Sequence, residues 1–161
     1  MKRPPPSPPF DAPPGTVTLG GPLGWFSAAL HVTSENLAPD AITLLFSAEP
    51  TACQTKGVPI LREDGTSRHI PQFGRWTTKM KSSQTDEWDI NEVITELLAR
   101  LPESLEIWHQ VARLGCIRIS LGLAMVRSNE DFVLEPELLR YLGERQVQIY
   151  FDIYREDEAV P

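Results

Sequence analysis

Cys116-Ile117-Arg118-Ile119-Ser120-Leu121-Gly122-Leu123-Ala124-Met125-Val126 alternates without a break. Ile117, Ile119, Leu121, Leu123 and Met125 fall on one side and Arg118, Ser120, Gly122 and Ala124 on the other. That is the period-two signature of a strand with one buried face. A helix follows at Leu134-Glu135-Pro136-Glu137-Leu138-Leu139-Arg140-Tyr141-Leu142, where Pro136 suits the first helical position because its missing N–H costs nothing there. Gly143 is a candidate terminator. Val147 to Tyr154 then alternates again, with Val147, Ile149, Phe151 and Ile153 against Gln148, Tyr150, Asp152 and Tyr154. Strand, helix and strand, each apolar on one side, define an α+β domain with helices packed on one face of a sheet.

Upstream of this unit the pattern is helical. In Trp88-Asp89-Ile90-Asn91-Glu92-Val93, Asp89 can cap a helix, Glu92 can complete a capping box, and Trp88 and Val93 occupy the positions of a hydrophobic staple. Ile90, Val93, Ile94, Leu97, Leu98 and Leu101 form one apolar stripe. Pro102 breaks or kinks it, and the pattern resumes through Leu105, Trp108, Val111, Ala112 and Leu114 to Gly115, a plausible residue just past the helix end. Gly74 to Lys81 reads as a strand with Trp76, Thr78 and Met80 on one face and Arg75, Thr77 and Lys79 on the other. Cys53 to Pro71 is loop-like, with a weak hairpin signal at Asp64-Gly65.

Trp25 to Thr33 is a further alternating strand: Phe26, Ala28, Leu30 and Val32 lie opposite Ser27, Ala29, His31 and Thr33. The helix after it, Leu37-Ala38-Pro39-Asp40-Ala41-Ile42, matches Leu134 to Leu139 position by position as L-x-P-acid-x-aliphatic, and Glu49-Pro50 is the expected stop. The simplest account is two β-α-β halves joined by a long kinked helical segment, with about four main strands in one sheet. Met1 to Pro22 holds eight of the fifteen prolines and is expected to be a disordered tail. Residues 23–155 form the domain, and residues 156–161 a frayed end.

Taken in order across residues 25–155, several of these pieces resemble the family known as domain of unknown function 4279, small bacterial proteins. They are Leu37-Ala38-Pro39-Asp40 with Ile42, Glu49-Pro50-Thr51, Lys56-Gly57, Gly74-Arg75-Trp76 and the closing Phe151-Asp152-Ile153-Tyr154. The resemblance implies an α+β domain and bacterial origin. It supplies no activity and no catalytic residues. In size and acidity the chain also resembles immunity proteins of bacterial toxin systems, which is an analogy of class only.

Composition narrows the functional classes. The 161 residues carry 15 basic and 22 acidic side chains, a net charge of −7. That balance argues against nucleic acid as a partner of the whole surface. No apolar run approaches the roughly 18 residues of a membrane span. The absence of an export signal and the two unpaired-looking cysteines point to the cytoplasm. His31, His69 and His109 stand at no ligand spacing, Cys53 and Cys116 form no C-x-x-C, and no phosphate loop or nucleophile elbow is present. The sequence therefore nominates no metal, no cofactor and no catalytic residue, and the reading leans away from an enzyme. Cys116 reads as a small packing residue.

Charge distribution carries the functional hint. Residues 56–81 hold six basic residues against Glu63 and Asp64, a local +4, while the other residues hold nine basic and twenty acidic, −11. Two binding readings follow. The first is a non-catalytic interaction module, immunity-like, that uses the sheet face left open by the helices. Its partner is another protein or a second copy of the chain, bound through His31, Arg75, Lys79, Arg118, Tyr150, Asp152 and Tyr154. Asp152 reads there as either an exposed strand residue or one salt-bridged to Arg118. The second is a small-ligand or anion site on Lys56, Arg62, Arg68 and Lys81.

Overall fold

The computed structural model describes residues 23–62, 64–80, 89–125 and 132–155. The proline-rich segment, Lys81, Trp88 and residues 156–161 lie outside them. The order of elements is β1 (Leu23–Ser34), α1 (Pro39–Phe46), β2 (Ala52–Gln54), β3 (Ile60–Leu61), β4 (Ser67–His69), β5 (Gly74–Lys79), α2 (Ile90–Leu98), α3 (Leu105–Leu114), β6 (Cys116–Met125), α4 (Pro136–Glu144) and β7 (Val147–Arg155). The main sheet runs β2-β5-β1-β6-β7, and β3 and β4 pair apart from it. The protein is thus an α+β domain with four long strands and a short edge strand.

The ladders correct the two-halves picture. β6 and β7 are parallel neighbours joined through α4, a β-α-β unit. β1 and β2 both run antiparallel to β5, so they are parallel to each other, but β5 lies between them. Both L-x-P-acid helices therefore cross between parallel strands, and only the second pair is adjacent. The long kinked helix is in fact two helices. The chain leaves helical geometry after Ala99, and Pro102, which cannot continue the hydrogen-bond ladder, sits in the break. Trp108 holds that break by donating its indole N–H to the Pro102 carbonyl at 2.7 Å.

Alternation decides the core. Ala28, Leu30 and Val32 of β1, Trp76 of β5, Ile117, Ile119, Leu121 and Leu123 of β6 and Val147 of β7 all face the helices and are buried. The helices answer with Ile42 and Phe46 of α1, Val93, Ile94, Leu97 and Leu98 of α2, Trp108 and Val111 of α3, and Leu138 and Leu142 of α4. Phe46 stands at the centre, 5.5 Å from the Trp76 ring and 5.0 Å from the Trp108 ring. Such tilted pairs contribute roughly 0.5–1.5 kcal/mol each beyond their buried area. Trp76 also carries a polar N–H into the core, and Thr43 of α1 accepts it at 3.0 Å. Arg145, just past α4, is buried with no carboxylate partner among the described residues. Its guanidinium lies 3.3 Å from the Tyr141 ring centre and donates to the Tyr141 and Glu103 carbonyls at 3.2 and 2.9 Å.

Several local expectations need correction. Residues 53–71 are not all loop: they include the end of β2, and the hairpin signalled at Asp64-Gly65 is present as β3–β4. Gly57 and Gly65 there take φ of 77° and 78°, which side chains rarely tolerate. Helix α1 ends earlier than Glu49-Pro50, at Ser47, which is left-handed. Gly143 lies inside α4, and the turn after it is made by Gln146 at φ 57°. Gly115 caps α3 in extended geometry, with its N–H on the Val111 carbonyl at 3.1 Å. At α2, Asp89 accepts from the Asn91 N–H at 2.7 Å instead of the amide of Glu92, and Glu92 is exposed. Cys116 is exposed, not packed, and its thiol donates to Gln148 at 3.3 Å.

Candidate binding face of the sheet

The face turned away from the helices gathers the residues on the opposite parity. One row crosses the sheet as Ala52, Thr77, His31, Arg118 and Gln148 on β2, β5, β1, β6 and β7. The next row is Lys79, Ala29, Ser120 and Tyr150, and beyond it lie Ser27, Gly122 and Asp152. On the other side of the His31 row stand Gln54, Arg75 and Thr33. All seven residues nominated from sequence, His31, Arg75, Lys79, Arg118, Tyr150, Asp152 and Tyr154, thus belong to one face. Small side chains on β1 and β6 keep its middle shallow.

His31 is its centre. The ring is half-buried, and Nδ1 lies 3.0 Å from the Thr77 hydroxyl. Thr77 is buried, and its carbonyl accepts from the Thr51 N–H and hydroxyl at 2.8 and 3.2 Å, so the histidine's partner is itself fixed by the edge of the sheet. Burial first, and then the charges of Arg75, Lys79 and Arg118, together lower the His31 pKa from 6.5 to about 4. At neutral pH the ring is therefore uncharged, surrounded by three cations.

Those cations have no counter-ion among the described residues. Among the described residues, no carboxylate forms an ion pair with Arg75, Lys79 or Arg118; the ion pairs present are Lys56–Glu35, Arg100–Glu96 and Arg113–Glu106. Arg118 instead lies 5.6 Å from the Tyr150 ring centre, and Arg75 lies 5.1 Å from that of Phe73. The Nε of Arg75 is buried without a hydrogen-bond partner among the described residues. Of the two readings of Asp152, the ion pair with Arg118 does not form. In the parallel register Arg118 faces Gln148 and Asp152 faces Gly122, four residues further along, a distance of about 13 Å at strand spacing. Asp152 instead accepts from the Tyr154 hydroxyl, which raises the Tyr154 pKa.

The described members of the second nominated set lie off this face, on the segment from Lys56 to β4. Lys56 pairs with Glu35, which holds that carboxyl below its usual range. Arg62 follows β3 and Arg68 lies in β4, both exposed, and Lys81 is outside the described residues. The histidines are scattered. His69 is on β4, and His109 on α3 donates from Nε2 to the Glu144 carbonyl at 2.9 Å. Among the described residues no three His, Cys, Asp or Glu side chains gather as a metal site would require, and no helix is long and apolar enough to cross a membrane.

Sequence parity found the members of the face. It missed Thr77 as the partner of His31 and Phe73 as the platform under Arg75, because both depend on register and loop path.

A single sheet covered on one side by four helices and polar on the other defines a small α+β domain of the one-sided kind. Within that class the chain belongs to the family described as Domain of unknown function (DUF4279), whose model matches residues 25–156. No curated protein and no solved structure matches the chain.

Proposed function

We propose that the protein is a non-catalytic interaction module whose outer sheet face binds an acidic surface on a protein partner. One observation carries the reading: Arg75, Lys79 and Arg118 surround an uncharged His31 on a face that no described helix covers, and none of them has a carboxylate partner among the described residues. Tyr150, about half exposed beside Arg118, adds the type of side chain that dominates binding hot spots. A local positive face on a chain of net charge −7 also orients an approaching acidic partner, because the rest of the surface repels it.

The test is capture from lysate of the source cell, quantified by mass spectrometry, with wild type beside Arg118→Glu and Tyr150→Ala. The expected result is a near-equimolar acidic partner that both variants lose while their melting temperatures stay close to wild type. Capture unchanged by both would refute the face. If inorganic phosphate instead raises the melting temperature, and that rise vanishes in an Arg62→Ala, Arg68→Ala double variant, the small-anion reading replaces this one.

A further inference from the structure

β7 borders the main sheet, and no described strand pairs with its far side. This border is nine residues long, against three for β2 at the other end. Edge strands are commonly guarded by lysine, proline or a bulge, because a bare row of N–H and C=O groups recruits another strand. β7 contains no lysine and no proline, and its ladder with β6 is unbroken from Val147 to Arg155. Apolar side chains collect along the same border. Ile153 is 52% exposed, Ile149 and Phe151 are half-buried, and the partly exposed Phe132 stacks on Phe151 at 5.1 Å.

A strand that fits this edge must satisfy its backbone groups and place apolar side chains opposite Ile149, Phe151 and Ile153. β7 itself does both. Paired antiparallel to a second β7 about its middle residue, Phe151 meets Phe151, Ile149 meets Ile153, and all nine residues find an opposite number. On the outer side Tyr150 meets Asp152 and Gln148 meets Tyr154, so no like charges oppose one another. Centring one residue further along, on Asp152, would set Asp152 against Asp152, which is repulsive. Centring two residues back, on Ile149, would leave Asp152 to Arg155 beyond the ladder.

We propose that β7 pairs with β7 of a second copy in this register, joining two five-stranded sheets into one of ten. The two-fold axis of such a pairing stands perpendicular to the sheet. Both outer faces then lie on the same side, and a partner that reaches both gains avidity without any new contact.

Sedimentation equilibrium on the full chain tests this in the absence of any partner. Wild type is expected at twice the 18.1 kDa monomer mass. Ile153→Lys, on the helix side of the sheet, is expected to weaken the dimer by at least about tenfold, whereas a dimer formed through the outer face would not respond to it. Tyr150→Glu places like charges opposite Asp152 of the second copy and is expected to weaken it similarly; adding Asp152→Lys should restore it. Thermal melts confirm that each variant is folded, and if Tyr150→Glu is not, the Ile153→Lys result decides. A monomeric wild type, a dimer indifferent to Ile153→Lys, or a folded Tyr150→Glu/Asp152→Lys protein that stays monomeric would each overturn the proposal. None of these results depends on the acidic partner, so failure of one reading leaves the other measurable.

Discussion

Replacing His31 by glutamine should flatten part of the protein's dependence of stability on pH. In the folded state, burial and then Arg75, Lys79 and Arg118 hold the His31 pKa down to about 4, against 6.5 for the free side chain. Between those values the unfolded chain carries a proton on this ring and the folded chain does not. The unfolded state then binds more protons, so stability rises with pH across that window. The contribution is complete above pH 6.5 and is lost as pH falls from there toward about 4. A shift of this size sets an upper limit of about 3 kcal/mol. The ring is only half-buried, and solvent screening brings the expected effect to roughly 1.5 kcal/mol.

That remains a visible fraction of a typical stability of about 5–15 kcal/mol. Urea unfolding of wild type and His31→Gln at about pH 7 and about pH 4.5 measures it. Glutamine keeps a polar group within reach of the Thr77 hydroxyl and does not titrate. Protonation of the 22 acidic residues also destabilises at low pH, but it is common to both proteins and cancels in the comparison. Wild type should lose roughly 1–2 kcal/mol more than the variant on acidification. Equal losses would refute the description of His31 as a desolvated histidine held neutral by its cationic neighbours.

Two glycines should respond oppositely to alanine. At Gly74 a Cβ would stand 2.3 Å from the Leu37 carbonyl oxygen and 2.8 Å from its Cβ, so β5 or the turn before α1 must move; Gly74→Ala should cost more than about 2 kcal/mol, read as a lower urea midpoint. At Gly143 nothing lies within 4 Å and the residue is inside α4, so Gly143→Ala should stabilise by about 0.5–1 kcal/mol in the same assay.

How much of the fold could be read in advance depends on which property alternation encodes. An apolar residue at every second position says which side of a strand is buried, and that was enough to place Leu30, Trp76, Ile119 and Val147 under the helices. It says nothing about which strand lies beside which. The insertion of β5 between β1 and β2 is set by long-range pairing, and β2 is three residues with no alternation to detect. Helix ends were the least legible part, since Ser47 and Gln146 adopt positive φ without glycine where Pro50 and Gly143 looked like better stops. Gly74 shows the converse. Its place in the Gly74-Arg75-Trp76 motif was visible, but its reason, the Leu37 carbonyl, belongs to another element.

The same division governs the candidate site. Membership of the outer face followed from parity alone, so His31, Arg118 and Tyr150 could be grouped before any pairing was known. Who partners whom followed from register, which is why Asp152 turned out to serve Tyr154 and not Arg118. That substitution changes the electrostatics of the face. With Asp152 occupied four residues away, Arg118 has the π face of Tyr150 and Arg75 that of Phe73, and neither has a carboxylate partner among the described residues. Such contacts are worth less than about 1 kcal/mol at exposed sites and do not neutralise charge. Arg75, Lys79 and Arg118 therefore repel one another in the free protein, and after burial they add to the lowering of the His31 pKa. The proposed acidic partner would relieve that repulsion, so an arrangement that costs stability in the isolated domain would contribute to association.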